Sequence, residues 1–408
     1  PTPGSRDTRP IGLYKGFFRL WSRARVQLVR DWVQTVPEFG AVVNMLSGRC
    51  TSDAVWRTQV LNEVHEEDQL HSAEVLWDIA KCYENVLHSK LKSQAEAQNY
   101  PMPILRVSLS SYKWGRHFLF EHDMIAPPIF PKAGIVAGSS MATYEITVLM
   151  QKVLADLARQ HNMGISIHVD DLSVSVTRHT IDGLIHDLAS ATAAVKQALE
   201  GELSLPIADS KSQVLGSSVA VEDQLKEAFR HTLGSTVATT RRLGVDHSLR
   251  LVKKHPVFNK RWKLFGTRKQ LMHKLGNAGR LAKKRVLHGG MLPSILYGAE
   301  CNTPPLAVLT QCRNEVVQVH GLQVQSVAHQ LALLCLPPHF DPTEKALEAA
   351  LFRWHKEVWL ITQDHPSHGD RLSSLQLQKA MGQAMHHIPK LQWEKQCPGQ
   401  VTHRPARE

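Results

Sequence analysis

The sequence predicts an α+β fold followed by an all-α C-terminal region, and three observations carry that expectation. Over roughly the first 250 residues, segments with period-2 alternation stand between segments with helical periodicity. The clearest alternation, ISIHVDDLSVSV, places Ile165, Ile167 and Val169 before an acidic pair and Leu172, Val174 and Val176 after it. From about residue 253 onward the patterns are helical. At 408 residues and 43% hydrophobic, the chain can bury a substantial core in two or three subdomains.

Near the start, TRPIGLYKGFFRLWSRARVQLVRDWV (8–33) is basic and aromatic, an extended stretch running into a helical pattern. Residues 52–70 are expected to be helical, with Val55, Gln59 and 62–64 forming an imperfect stripe. AEVLWD (73–78) reads as a buried strand ending on Asp78, and AKCYENVLHSKLKSQAEAQ as the helix that follows. Between 104 and 130 come short β-like runs, ILRVSLSSY and HFLFEHD, and a proline-rich bend, APPIFPKAG. Ser139 or Ser140 then caps a helix with Met141, Tyr144, Val148, Leu149, Val153 and Leu157 on its apolar face, ending at Gly164. The acidic segment follows as strand, tight turn and strand, then a long helix over 182–200. RRLGVDHSLRLV is a second β-turn-β. Residues 301–390 read as helical without obvious chemistry; His320, His329, His339, His355, His365 and His368 fit no ligand spacing and read as surface residues.

Charge points to a partner. There are 48 Lys+Arg against 37 Asp+Glu, a formal +11. His247 to Ala299 holds 13 Lys/Arg and no Asp or Glu, so the remainder carries 35 against 37, or −2. The whole positive excess sits in one block, the footprint of a polyanion such as nucleic acid; a solvated helix face usually mixes both signs. The six cysteines show no CxxC spacing and no matched Cys/His set, which suits a reducing compartment. No signal peptide and no bilayer-length apolar run is evident, so an intracellular protein, in nucleus or cytoplasm and without a membrane partner, is expected. The start on Pro1 suggests a piece of a longer polypeptide.

The candidate chemistry is acidic. Asp78 ends one strand and Asp170-Asp171 occupy the turn of a hairpin. Adjacent carboxylates repel and weaken a fold unless a cation sits between them. Mg²⁺, hard and shared between a few carboxylates and substrate phosphates, is the natural guest, with Mn²⁺ as the alternative.

Further motifs surround these acids in a fixed order: Arg9-Pro10-Ile11, GRCTSDAV (48–55), WDIAKCYENV, AGIVAGSS, His168-Val169-Asp170-Asp171, Lys211 in LPIADSKSQVL, RRLGVD (241–246) and LPSILYGAE (292–300). The series resembles reverse transcriptases of the non-LTR (LINE-like) retrotransposon type over roughly residues 7–300. The resemblance implies a right-hand polymerase: partial fingers over 1–70, a palm over 71–250 with an interleaved fingers segment at about 91–133, a basic helical thumb over 251–300, and a helical region of unknown role over 301–408. It also implies an RNA template, a DNA primer and dNTPs as partners, and leaves oligomeric state open.

By the same resemblance Asp78, the Ile79 carbonyl, Asp170 and Asp171 hold two metal ions, and Arg9 contacts the nucleotide triphosphate, as a bidentate guanidinium suits. Ile79, Ala80, Gly134 and Gly138 line the nucleotide, the glycines letting the backbone pass close to the new base pair. Tyr83 falls at the steric gate, where a flat ring leaves no room for a 2′-OH. Lys211 sits where the family has a lysine proposed to protonate pyrophosphate. His168 would touch the primer end or template, and Leu243-Gly244 would grip the primer. In the basic block, Lys253, Lys254, Arg268, Lys269, Lys283, Lys284 and Arg285 would face backbone phosphates. Two departures stand out: His168 replaces the usual Tyr or Phe, and Ala133 replaces Gln or Arg. Alternatives stay open: a decayed copy that only binds nucleic acid, or a group II intron maturase-like protein. An RNA-templated RNA polymerase is disfavoured by Tyr83 and the absence of GDD.

Overall fold

The structure is a computed structural model and describes residues 12–36, 51–117, 125, 127–250, 255–276, 279–322, 329–362 and 376. Arg9-Pro10-Ile11, 48–50 of GRCTSDAV, most of HFLFEHD, Lys253 and Lys254 lie outside the described residues. The chain divides into two compact units: residues 1–54, 71–238 and 366–370 form one, and 55–70, 239–365 and 371–408 the other. Residues 55–70, grouped with 1–54 on sequence grounds, thus belong to the second unit.

The first unit is built on a five-stranded sheet of order β2-β3-β1-β4-β5. Its strands are β1 (His71–Asp78), β2 (Gly164–His168), β3 (Asp171–Arg178), β4 (Gln213–Gly216) and β5 (Ser235–Thr236). β1 lies between β3 and β4, antiparallel to both. Burial along β1 is nearly continuous, which is why its sequence alternates less clearly than that of the β2–β3 hairpin. Ile165, Ile167, Val174 and Val75 share one core with Leu149 and Leu154 of the helix Ala142–His161 and Leu184 and Leu188 of the helix Ile181–Lys196. The latter runs on as a π-helical turn, Gln197–Glu202. The N-terminal helix Gly16–Thr35 joins this core through Trp32, whose Nε1 donates to the Gln98 carbonyl at 2.8 Å and whose ring meets Tyr100 edge-on.

Four local expectations are corrected. ILRVSLSSY is not a strand but most of the helix Met102–Tyr112. Pro103 lies in its first turn, and its buried residues Ile104, Leu105, Ser108, Ser111 and Tyr112 repeat at helical spacing, two of them serines that hid the stripe. The single helix after β1 is two, Cys82–Asn85 and His88–Ala97, because Val86 and Leu87 are extended. The helix Ala142–His161 ends at Asn162 in the left-handed region (φ 46°), and Gly164 opens β2 instead. That helix also has no side-chain cap: Ser139 Oγ accepts from Met141 N at 3.3 Å, one residue short of the first turn.

Glu145, on the buried face of the same helix, is an acid inside the core. It accepts a short hydrogen bond from Tyr112 Oη, and the Ser139 hydroxyl lies 3.3 Å from the same phenol oxygen. Burial raises its carboxyl to about 7, the Tyr112 bond opposing. Between roughly pH 4.5 and 7 the unfolded chain has released a proton that the folded chain keeps. Stability therefore falls as pH rises through that window, by on the order of 3 kcal/mol in all. Glu145→Gln is expected to flatten this slope and to stabilise the fold above pH 7. Denaturant midpoints across that range check it, and an unchanged slope would count against the buried acid.

The second unit is mostly helical: Val55 onward of the helix Thr51–Glu67, then Pro256–His273, Arg280–Val286, Leu292–Leu296, Leu306–His320, His329–Leu333 and Pro342–Thr362. Phe265, Met272, Leu287, Met291, Ile295, Cys312 and Val316 form its main core. Buried ion pairs, Arg57 with Glu357 and a bidentate Arg313 with Asp341, and an edge-on Trp56–Trp354 contact tie its elements together. Ahead of the helices stands a small hairpin, β6 (Thr240–Arg242) and β7 (Val245–His247), as RRLGVD predicted. Leu243 and Gly244 both take positive φ (47° and 84°), the two-residue turn that matches strand twist.

Asp246 joins this hairpin to the basic helix. Its buried carboxylate accepts the N–H groups of Val257 and Phe258 at 2.8 and 2.9 Å, neutralising the open end of Pro256–His273. Asp246→Ala is expected to cost about 2–4 kcal/mol and to fray that helix first. Hydrogen exchange resolved along residues 255–273 measures this directly; uniform protection in the variant would refute the capping role.

Candidate active site

The sheet register assembles the acids. β1 ends on Asp78, whose Cα partner on β3 is Asp171; His168, at the end of β2, is partnered with Asp171 from the other side. Between β2 and β3 the turn is Val169-Asp170, with Val169 forced to φ 62°, an unusual conformation for a β-branched residue. The turn thereby carries Asp170 at the same sheet end as Asp78 and Asp171.

The loop before β4 is pinned to this edge. Ala208 N donates to the Asp78 carbonyl, Ala80 N to the Pro206 carbonyl, both at 2.8 Å, and Ser212 Oγ accepts from Asp78 N at 3.2 Å. Lys211 is exposed on that loop, one residue before the fully buried Ser212. The Ile79–Ile207 bridge uses the Asp78 carbonyl and the Ala80 N–H, so the Ile79 carbonyl takes no part in it. Lys81 turns the chain at positive φ into the short helix that carries Tyr83.

Tyr83 is half-buried, and its phenol is raised well above the ordinary value by burial and then by the charge of Asp170. Ring and acid are therefore electrostatic neighbours. Cys82 beside it is pushed up to about 12 by the same two causes, which makes it an inert core thiol. Gly134 backs onto this segment: Ile135 N donates to the Tyr83 carbonyl at 2.7 Å, and a Cβ on Gly134 (φ 89°) would stand 2.9 Å from the Glu84 carbonyl oxygen. Gly138 (φ 114°) packs on Gly12, the residue after Arg9-Pro10-Ile11, and Gly12 N donates to the Ala137 carbonyl at 2.8 Å. The chain's own backbone thus requires glycine at both positions before any ligand is considered.

A family model described as reverse transcriptase (RNA-dependent DNA polymerase) matches residues 1–245. The chain belongs to the reverse transcriptase family. Among solved structures it is similar to apo telomerase from Candida tropicalis, at 10% identity and TM-score 0.45 over 89% of this chain and 61% of that one. It is similar also to telomerase from Candida albicans in complex with a TWJ fragment of telomeric RNA, at 11% identity and TM-score 0.43 over 85% and 56%. A C-terminally truncated Candida tropicalis telomerase gives 12% identity and TM-score 0.40 over 58% and 45%. The chain spans between 45% and 61% of these structures. At such scores the family assignment rests on the family model alone. No curated protein matches the chain.

A reverse transcriptase implies divalent cations. Among the described residues, no three His, Cys, Asp or Glu side chains gather closely enough to hold a metal by themselves. Mg²⁺ asks for less, since one or two carboxylates suffice when substrate phosphates and water complete the shell. Asp78, Asp170 and Asp171 at one sheet end, with the Ile79 carbonyl outside its bridge, meet that requirement.

The remaining sequence candidates lie in the second unit. Tyr297, of LPSILYGAE, closes over the RRLGVD turn: its Oη donates to the Leu243 carbonyl at 3.0 Å. Arg261 stacks 5.0 Å over the Tyr297 ring and donates to the carbonyls of Tyr297 and Gly244. Two motifs that the sequence lists separately are one clamp. Arg268 and Arg285 are exposed, and Lys283 and Lys284 partly so. The half-exposed Lys269 pairs through its ammonium with the buried Glu315, which His273 Nε2 also contacts at 3.1 Å. Sequence reasoning missed Ser212, Glu145 and Tyr297 as positioning groups; Ser212 and Tyr297 lay inside quoted motifs, LPIADSKSQVL and LPSILYGAE, and Glu145 lay outside any.

Proposed function

We propose that the chain is an RNA-directed DNA polymerase of the non-LTR, LINE-like type, extending a DNA primer on an RNA template in retrotransposition. The observation that carries this is the convergence of Asp78, Asp171 and Asp170 at one sheet end with Tyr83 beside Asp170. In right-hand terms the first unit supplies palm and fingers, and the basic helices 256–286 the thumb. Mg²⁺ bound at the three aspartates would acidify the primer 3′-OH and neutralise the triphosphate.

The protein's own groups do the rest. Asp78 and Asp170 would hold the cation, and Asp171 would support them. The β4-side loop holds the Asp78 backbone and presents Lys211, whose ammonium suits a leaving pyrophosphate. Tyr83 fills the space a ribose 2′-OH would need. Leu243-Gly244, held by Tyr297 and Arg261, presents a rigid turn to the primer, and Arg268, Lys283, Lys284 and Arg285 meet phosphates. The LINE-like assignment rests on the GRCTSDAV and LYGAE segments. Incorporation of dNTPs opposite an RNA template, compared with rNTPs, tests the class of reaction. Preference for rNTPs would make it an RNA polymerase.

A further inference from the structure

In the second unit two histidines far apart in sequence meet: His288 Nε2 and His320 Nε2 are 3.0 Å apart, with rings edge-to-face. His288 lies in the π-helical turn Leu287–Met291, and His320 ends the helix Leu306–His320. Both rings pack on Phe340, at 4.4 and 5.1 Å between centroids, and His339 packs on the same ring at 4.4 Å. Arg280 lies directly over Gly321, the residue after His320, where a Cβ would collide with its guanidinium. Gly289 and Gly290, following His288, face open space, and the fold does not require glycine at either. Two exposed glycines in a helical turn cost about 1 kcal/mol each against alanine, yet they leave bare backbone beside the pair.

The charges acting on the pair are all basic: Lys284 and Arg280 from the helix Arg280–Val286, His339 from the turn Pro338–Phe340, and Lys345 from the helix Pro342–Thr362. A metal cation would meet that positive field with only imidazole ligands. An anion would be drawn into it.

We propose that this cluster binds a backbone phosphate of the nucleic acid and couples its capture to proton uptake by the His288–His320 pair. The inference rests on the reading that the basic helices grip nucleic acid. Without a phosphate the pair is neutral at pH 7, one ring donating to the other. Burial and then the surrounding positive charges hold both below the ordinary imidazole value, His288 at about 4. A phosphate offsets those charges, so the pair takes a proton from solvent as the phosphate docks. Linkage is reciprocal: lower pH must then tighten binding.

The test uses the full chain and a short RNA–DNA hybrid duplex, with affinity followed from about pH 8 to 5.5. Binding is expected to tighten by up to about tenfold per pH unit for each proton taken up. His288→Gln with His320→Gln is expected to remove most of that slope. Calorimetry of the unaltered protein in buffers of different ionisation enthalpy counts the same proton without any substitution. Equal slopes in both proteins, or no proton uptake by the unaltered one, would overturn the proposal while leaving nucleic-acid binding in place. No binding of the hybrid at any pH would instead remove the reading on which it rests.

Discussion

Asp170→Asn is expected to lower template-directed dNTP incorporation by about 10³-fold or more while leaving the fold intact. The substitution keeps shape and removes one negative charge where cation-bound oxygens would sit. Asp170 is half-exposed in the Val169-Asp170 turn, outside the ladder that pairs His168 and Asp78 with Asp171. Its loss should therefore leave the hairpin register alone. A second readout is independent of activity: the Tyr83 phenol, raised partly by Asp170, should titrate lower in the variant. Ultraviolet titration of tyrosinate measures that shift. Activity within a few-fold of the unaltered chain would remove Asp170 from the chemistry, whatever the phenol does.

Tyr83→Ala is expected to shift sugar selectivity toward rNTPs on the order of 10²-fold, with a smaller loss for dNTPs. The ring's position is set by backbone. Ile135 N holds the Tyr83 carbonyl, and Gly134 fits against residues 83–84 with no space for a side chain. Truncating the ring thus opens a space while the walls stay where they are. Incorporation measured side by side with dNTPs and rNTPs decides it: an unchanged ratio would mean that Tyr83 is a core tyrosine and not a gate.

Much of this arrangement was legible because strands with one dominant pattern announce their ends. The β2–β3 hairpin alternates on both sides of Asp170-Asp171, and β1 closes on Asp78, so the acids could be paired before any register was known. The β-turn-β at RRLGVD was legible for the same reason. What stayed hidden is non-local or runs against residue type. ILRVSLSSY buries serines on a helix face, so its period was obscured by β-like composition. Glu145 is a carboxylate in a core, where a charge is read as surface. Ser212 matters only because its hydroxyl reaches the Asp78 N–H, 134 residues away. His320 was read as one surface histidine in a scattered set, and its partner His288 lies in a different helical segment. The pairing of Lys269 was hidden because its acidic partner Glu315 lies beyond the basic block in sequence.

The most direct measurement is primer extension by the purified chain on an RNA template with a DNA primer, dNTPs and Mg²⁺, run beside Asp170→Asn. A polymerase built on the Asp78–Asp171 register extends the primer, and the variant does not. Tight, salt-sensitive binding of the hybrid by both proteins with extension by neither would contradict an active enzyme and identify a chain that has kept its grip on nucleic acid and lost its chemistry.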